Sequence, residues 1–297
     1  MKAALLVKKE KFEVKDVETP HCADGEVLVK VRACAICGSD LRIFYGSKSI
    51  DVPITGHEIS GTIEEVGSGL SNLPIGEKVV IETVVGCGEC RACKRGEENR
   101  CLRRYKAIGY QYNGGFSQYM VVPREAVKQG NVIKVPEISF EEAALVEPLS
   151  CVLNGWEPFK RRREGFTTVV IGAGPIGILH SEYALSLGSR VILVNRTAPR
   201  LELAKEIGLR ADEFVDSSRC DVVKHVLGST NGMGAEVVIC AASSKEAQRQ
   251  ALEMAAVDAD ISYFAGISRD DQYNAINTNL LHYNELHLHG ANASNRK

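Results

Sequence analysis

The sequence predicts an α/β protein in two parts. A β-rich first half runs to about residue 150, and a doubly wound parallel sheet occupies residues 151–297. Three observations carry this. Residues 1–150 are rich in glycine and in short β-branched runs broken by turns. From residue 151 strands alternate with helices. The chain has 297 residues, enough for about two domains at roughly 150 residues each.

In the first half, VLVKVRA (27–33), EKVVIETVV (77–85) and FSQYMVVP (116–123) cluster β-branched residues between glycines and read as strands. GHEISGTIEEVGSG (56–69) places another strand between glycine turns. In the second half, TTVVIG (167–172) is a strand running into a glycine-rich turn. GPIGILHSEYALSLG (174–188) has helical spacing and stops at Gly188. RVILVN (190–195) is the next strand, and PRLELAKEIG (199–208) the next helix. AEVVIC (235–240), ISYFAG (261–266) and ELHLHG (285–290) are further strands, with a helix over KEAQRQALEMAA (245–256). KRRR (160–163) is read as a solvated turn at the junction.

Composition excludes several function classes. Lys plus Arg is 36 and Asp plus Glu is 38, a net charge of −2, without the basic excess of a nucleic-acid binder. Apolar residues make up 44% and charged residues 25%, which excludes a disordered chain. No apolar run approaches about 18 residues, so no transmembrane helix is expected. The apolar stretch before Lys8 is too short for a secretory signal, and a cytoplasmic location is expected.

Of ten cysteines, Cys87, Cys90, Cys93 and Cys101 form C-x2-C-x2-C-x7-C. In a reducing compartment such a cluster reads as metal-binding. Four thiolates close a tetrahedral shell around Zn²⁺ and leave no open position, so this zinc is expected to be structural. It would pin a lobe rich in charge and poor in apolar residues.

The second motif is Gly172-Ala-Gly174-Pro175-Ile176-Gly177, a G-x-G-x-x-G between a strand and a helix. Gly172 permits the tight turn, and Gly174 lets backbone approach a pyrophosphate. Gly177 lets the helix pack closely on the sheet, and the helix N-terminus offers N–H groups to the phosphate. An acidic residue ending the next strand would bind the ribose of NAD. This chain has Asn195, then Arg196, with Arg200 one helical turn on. The arginines tilt the cofactor toward NADP. The alternative is that Asn195 serves an NAD ribose and Arg196 points to water.

A third set is dispersed: Cys37-Gly-Ser39-Asp40, Gly56-His57-Glu58 and Glu147-Pro148. Together these hold one thiolate, one imidazole and two carboxylates, a mixed donor set that suits zinc.

These motifs, in this order, resemble the zinc-containing medium-chain alcohol dehydrogenases, and specifically their polyol and sugar branch of sorbitol (iditol) and threonine dehydrogenases. ICGSD (36–40), PITGHEISGTIEEVG (53–67), CGECRACKRGEENRC (87–101), GGFSQYMVVP (114–123), VEPLS (146–150) and GAGPIG all match. The resemblance implies a GroES-like catalytic domain followed by a Rossmann domain for NAD(P). It implies two zincs and a substrate cleft between the domains. Cys37 and His57 become ligands of a catalytic zinc, and Glu58 a ligand or an alternating one. Glu147 takes the ligand position that simple alcohol dehydrogenases give to cysteine. Ser39 matches the hydroxyl that relays the substrate proton, and Asp40 the carboxylate that orients the histidine. The cysteines at 87, 90, 93 and 101 match the structural-zinc lobe.

The implied reaction moves a hydride between a nicotinamide and a secondary alcohol of a polyol, sugar or sugar derivative. Pairing through ELHLHG (285–290) into a homodimer or homotetramer is also implied. So is a C-terminal return to the first domain that this sequence lacks, since it ends at Lys297, within the helix expected after Gly290. Two rivals are a zinc-independent quinone or enoyl reductase and a non-catalytic cofactor-binding relative. Cys34 is expected to be a buried strand residue, and Cys151 and Cys240 to be buried packing residues. His287 and His289 are expected on a strand with one apolar face rather than in a metal site.

Overall fold

The computed structural model describes residues 1–160 and 163–296. The chain divides into two compact units. The first comprises Met1–Cys151 with the residues from Ala293 onward, and the second is Val152–Asn292.

In the first unit, β1 (Lys2–Lys8) and β2 (Lys11–Asp16) form an antiparallel hairpin that the sequence reading did not pick out. Its alternation is blurred by lysines on a largely exposed ribbon. β3 (Val27–Ala35) leads into a short helix α1 (Gly38–Phe44), followed by β4 (Glu58–Val66) and β5 (Lys78–Ile81). The run EKVVIETVV is not one strand. It breaks at Glu82–Thr83 and resumes as β6 (Val84–Val85), because the buried Glu82 carboxylate turns back to accept from the Val84 N–H at 2.8 Å. β6 pairs with β7 (Lys106–Ala107) beside the cysteine lobe. β8 (Tyr119–Val122), α2 (Arg124–Lys128), β9 (Val132–Lys134), α3 (Phe140–Ala144) and α4 (Val146–Trp156) follow. The main sheet has the order β8-β3-β4-β5-β9 and is antiparallel. Its buried face gathers Val27, Val29, Ile59, Ile63, Val79 and Met120.

The second unit contains β10 (Thr167–Ile171), α5 (Pro175–Ser186), β11 (Arg190–Asn195) and α6 (Ala198–Glu206). β12 (Glu213–Asp216), α7 (Val222–Ser229), β13 (Ala235–Cys240), α8 (Lys245–Glu253), β14 (Ala255–Tyr263), α9 (Thr278–Tyr283) and β15 (His287–Gly290) complete it. Among the described residues these strands form one parallel sheet of order β12-β11-β10-β13-β14-β15. The order reverses next to β10, where a doubly wound sheet binds its ligand. The strands are apolar on both faces because both are covered. Val169, Ile192 and Val238 enter one core, and Val170, Leu193 and Ile239 the other.

Several expectations are corrected here. β14 starts at Ala255 rather than 261, and its bulge at Asp258, with φ of 64°, hides its period in the sequence. Among the described residues no helix follows Gly290. The second part does not run to the end of the chain. Ser294 is buried, and its hydroxyl donates to Glu82 Oε1 at 2.9 Å, while the Arg296 N–H donates to Gly96 O at 3.1 Å. On β15 the histidines, not the leucine, face inward. His287 and His289 lie 3.1 and 2.9 Å from Asp258 and Asp260 on β14, and Leu288 is exposed. Of the basic run, Arg161 and Arg162 lie outside the described residues, and Lys160 is no free solvated cation: it pairs with Asp258.

Candidate active site

α1 begins where β3 ends, and its first turn is built by Asp40. One Asp40 oxygen accepts from the Cys37 N–H at 2.9 Å, holding the thiol at the helix start. The other lies 3.6 Å from His57 Nδ1. These two atoms, Asp40 Oδ1 and His57 Nδ1, are buried and have no hydrogen-bond partner among the described residues. A single carboxylate therefore spans the backbone of Cys37 and the ring of His57.

Gly56 sets the approach of His57. Its φ is 91°, and a Cβ there would lie 2.6 Å from Phe116 and 2.9 Å from the Cys34 sulfur. Cys34 is thus a packing residue of β3, and burial pushes its thiol well up.

Cys37, His57 and Glu58 bring one ligand atom each to within 4.8 Å of one another. Glu147, at the start of α4, does not fall within that distance, but its charge acts on Cys37. Burial, then the neighbouring Glu58 carboxylate, pushes Glu147 up to about 8. Burial pushes Glu58 up to about 7 and raises the Cys37 thiol. Burial, with the charge of Lys48, pushes His57 down to about 4, so its imidazole is neutral near pH 7. Acids crowded together out of water, beside a neutral imidazole, are the donor set of a divalent cation. Such an ion supplies the opposite charge that offsets both their burial and their mutual repulsion. Asp40 facing Nδ1 leaves Nε2 as the ligating nitrogen. Asp40→Asn is therefore expected to keep the fold and weaken zinc affinity by about 10–100-fold, read as zinc release under chelator challenge. Parental zinc retention would detach Asp40 from the histidine.

The Ser39 hydroxyl lies 3.3 Å from His57 Nε2 and 2.7 Å from the Tyr110 hydroxyl. Sequence reasoning missed Tyr110, because a tyrosine among the glycines of residues 109–115 carries no distinguishing pattern. Cys151 was misread as simple packing: its thiol donates to Glu147 Oε1 at 3.5 Å, one helical turn along α4. Cys240 is fully buried, as expected.

The four lobe cysteines also converge, each sulfur within 4.8 Å of the others. Cys90 and Cys87 lie 3.5 and 3.9 Å from Cys93. The Cys87 N–H donates to the Cys101 sulfur and the Cys90 N–H to the Cys87 sulfur, each at 3.4 Å. Backbone N–H groups of Cys93 and Leu102 push Cys90 down to about 6, which favours the thiolate a metal needs.

In the second unit Gly172 has φ of 118°, and a Cβ on Gly177 would meet the Gly172 carbonyl oxygen at 1.7 Å. Gly174 is the N-cap of α5 and Pro175 opens it, with Ile176 half-buried. The Asn195 side chain is already committed. Its Oδ1 accepts from the Ala173 N–H at 3.2 Å, and its Nδ2 donates to Thr197 O at 2.9 Å. It therefore shapes the glycine turn. Arg200 Nη1 lies 3.5 Å from where a Gly174 Cβ would stand, above that turn, and Arg196 is exposed.

Two family profiles match: the alcohol dehydrogenase GroES-like domain over residues 23–137 and the zinc-binding dehydrogenase over 175–297. The chain is 36% identical to an L-threonine 3-dehydrogenase of Pyrococcus abyssi, over 81% of this chain and 68% of that one. The chain belongs to the zinc-dependent medium-chain alcohol dehydrogenases. A D-arabitol-phosphate dehydrogenase of Enterococcus avium is 34% identical over 80% of this chain and 67% of its own length. A solved Sinorhizobium meliloti protein bound to NADP superposes with a TM-score of 0.89 at 30% identity, covering 99% of this chain and 84% of its own. As a member of this zinc-dependent polyol dehydrogenase family the protein is an NAD(P)-dependent oxidoreductase with a GroES-like and a Rossmann part. No helix among the described residues is long and apolar enough to cross a membrane.

Proposed function

We propose that the protein oxidises a secondary alcohol of a polyol, sugar or sugar derivative, and reduces the matching ketone. The observation that carries this reading is the convergence of Cys37, His57 and Glu58 next to the Ser39 hydroxyl. These three residues, with Glu147 as a further or alternating ligand, would hold the catalytic zinc. The four lobe cysteines would hold a second, structural zinc. Zinc in the first site supplies Lewis acidity that lowers the pKa of an alcohol oxygen, and nicotinamide supplies the hydride acceptor.

The chain's own residues do the rest. Ser39 Oγ would take the hydroxyl proton of the substrate as its own proton passes to the Tyr110 oxygen at 2.7 Å, and the Tyr110 proton would leave to water in the same relay. Burial keeps the His57 ring neutral, and Asp40, facing Nδ1 at 3.6 Å, leaves Nε2 as the unprotonated nitrogen. The turn from Gly172 to Gly177 offers its N–H groups to the cofactor pyrophosphate. A reducing, cytoplasmic location suits the ten unpaired cysteines, and association into a homodimer or homotetramer belongs to the same reading.

A polyol panel with NAD and NADP, alongside zinc analysis, tests the reading. Two zincs per chain with polyol turnover support it. Quinone reduction by metal-free protein contradicts it in favour of a zinc-independent reductase. Cofactor binding with no turnover contradicts it in favour of a non-catalytic relative.

For the cofactor we favour NADP, supported by Arg200 above the glycine turn, the exposed Arg196 and the absence of an acid at Asn195. Arg196→Ala is expected to raise the NADP dissociation constant by about ten- to a hundredfold and to leave NAD almost unchanged, since one charge-assisted contact is lost. Calorimetric titration of both cofactors checks this. Equal constants in parent and variant would assign the arginine to solvent. Asn195→Asp is a less selective probe, because it also sets a carboxylate against the Thr197 carbonyl.

A further inference from the structure

The geometry points to Lys48 and Tyr110 as a subsite that recognises a phosphate ester on the substrate, beside the Cys37–His57–Glu58 centre. This rests on the alcohol-oxidising reading above and narrows its substrate class.

The Lys48 ammonium sits 4.0 Å from the centroid of the Tyr110 ring. That is cation–π contact, and it fixes the end of a side chain that would otherwise sample many rotamers. The same ring carries the hydroxyl that meets Ser39 Oγ at 2.7 Å, and Ser39 in turn reaches His57 Nε2 at 3.3 Å. An unbroken series of contacts thus joins the ammonium to a metal-ligand side chain. The two loops that carry the pair are tied together, since the Asp51 N–H donates to Tyr110 O at 2.8 Å. The Lys48 N–H donates to Arg42 O at 3.2 Å, fastening its loop to α1. The charge is felt within the site, where it acts on both His57 and Asp40.

The chemistry of that position is selective. The carboxyl groups of the centre are Asp40, Glu58 and Glu147, and burial leaves the His57 imidazole neutral, so Lys48 is the cation that faces it. A neutral polyol gains little from a fixed ammonium that water does not already provide. A phosphate monoester carries close to two negative charges at neutral pH and three acceptor oxygens. It gains a charge-assisted contact from an ammonium already held against the Tyr110 ring before binding. A phosphate at one end of the substrate also sets which carbon of the polyol lies at Ser39.

The test is calorimetric titration of the zinc-loaded protein with D-arabitol phosphate and with D-arabitol, in parent, Lys48→Met and Lys48→Arg. It needs no turnover, so a failed subsite is separable from a failed alcohol dehydrogenase. The parent is expected to bind the phosphate ester at least about tenfold more tightly than the polyol. Lys48→Met should reduce that preference by about ten- to a hundredfold, and Lys48→Arg should retain most of it. Steady-state rates should show the same loss in KM rather than in kcat. A parent that binds both compounds equally, or a preference that survives Lys48→Met, overturns the subsite. L-Threonine is a third arm: if the lysine-dependent preference is for its carboxylate and not for the phosphate, the phosphate assignment is overturned.

Discussion

Cys37→Ser is expected to abolish alcohol oxidation, lowering kcat/KM by at least about a thousandfold, while the protein remains folded. A hydroxyl is a poor zinc ligand where a thiolate is a good one, so the three converging donors fall to two. The contribution lost is the stabilisation of a negative oxygen, several kcal/mol in related chemistry and tenfold in rate for each 1.4 kcal/mol or so. The fold should tolerate the change. Cys37 stands at the N-terminus of α1, and Asp40 grips its N–H rather than its sulfur. Unfolding followed by circular dichroism checks the stability, and NAD(P)H formation checks the rate. Parental turnover in this variant would remove the catalytic role from Cys37.

Cys93→Ser should do the opposite. Cys93 is the buried cysteine of its lobe and lies against two other sulfurs at 3.5 and 3.9 Å. Gly86 is pressed so closely on it that a Cβ there would stand 2.5 Å from the sulfur. The lobe has little apolar substance of its own, so bound zinc supplies much of its folding energy. Its loss is expected to cost about 3 kcal/mol, or roughly 6–12 °C in Tm. The lobe also holds Glu98, a fully buried carboxylate that Arg296 pairs with, and Gly96, whose carbonyl accepts the Arg296 N–H. Loosening the lobe should therefore expose the chain from Ala293 onward to protease. Zinc content should fall by one per chain. Unchanged Tm and zinc content would remove Cys93 from the metal shell and contradict a closed four-cysteine site.

The alternating order of the second unit was plain in the sequence because parallel strands buried on both faces read as unbroken apolar runs. TTVVI, RVILVN and AEVVIC each occupy the positions expected to within a residue. β12 and α7 were not seen. EFVD is only four residues long, and α7 follows a polar loop. The reach of Asp40 to both Cys37 and His57 was legible only through the family resemblance. No spacing in the sequence brings residue 40 to residue 57; the pairing of β3 with β4 does that. Lys48 and Tyr110 were illegible for the same reason, being brought together by loops. On β15 alternation was visible but its sense was misjudged. His287 and His289 turn inward because aspartates on β14 offer partners there, and polarity alone does not say which face of an edge strand is covered.

The measurement that bears most directly on the zinc account is an anomalous difference map at the zinc edge, from crystals of protein that oxidises a polyol. The account predicts two peaks per chain: one bound by Cys37 and His57 with a carboxylate from Glu58 or Glu147, and one enclosed by Cys87, Cys90, Cys93 and Cys101. A map from active protein with no peak between Cys37 and His57 would contradict it.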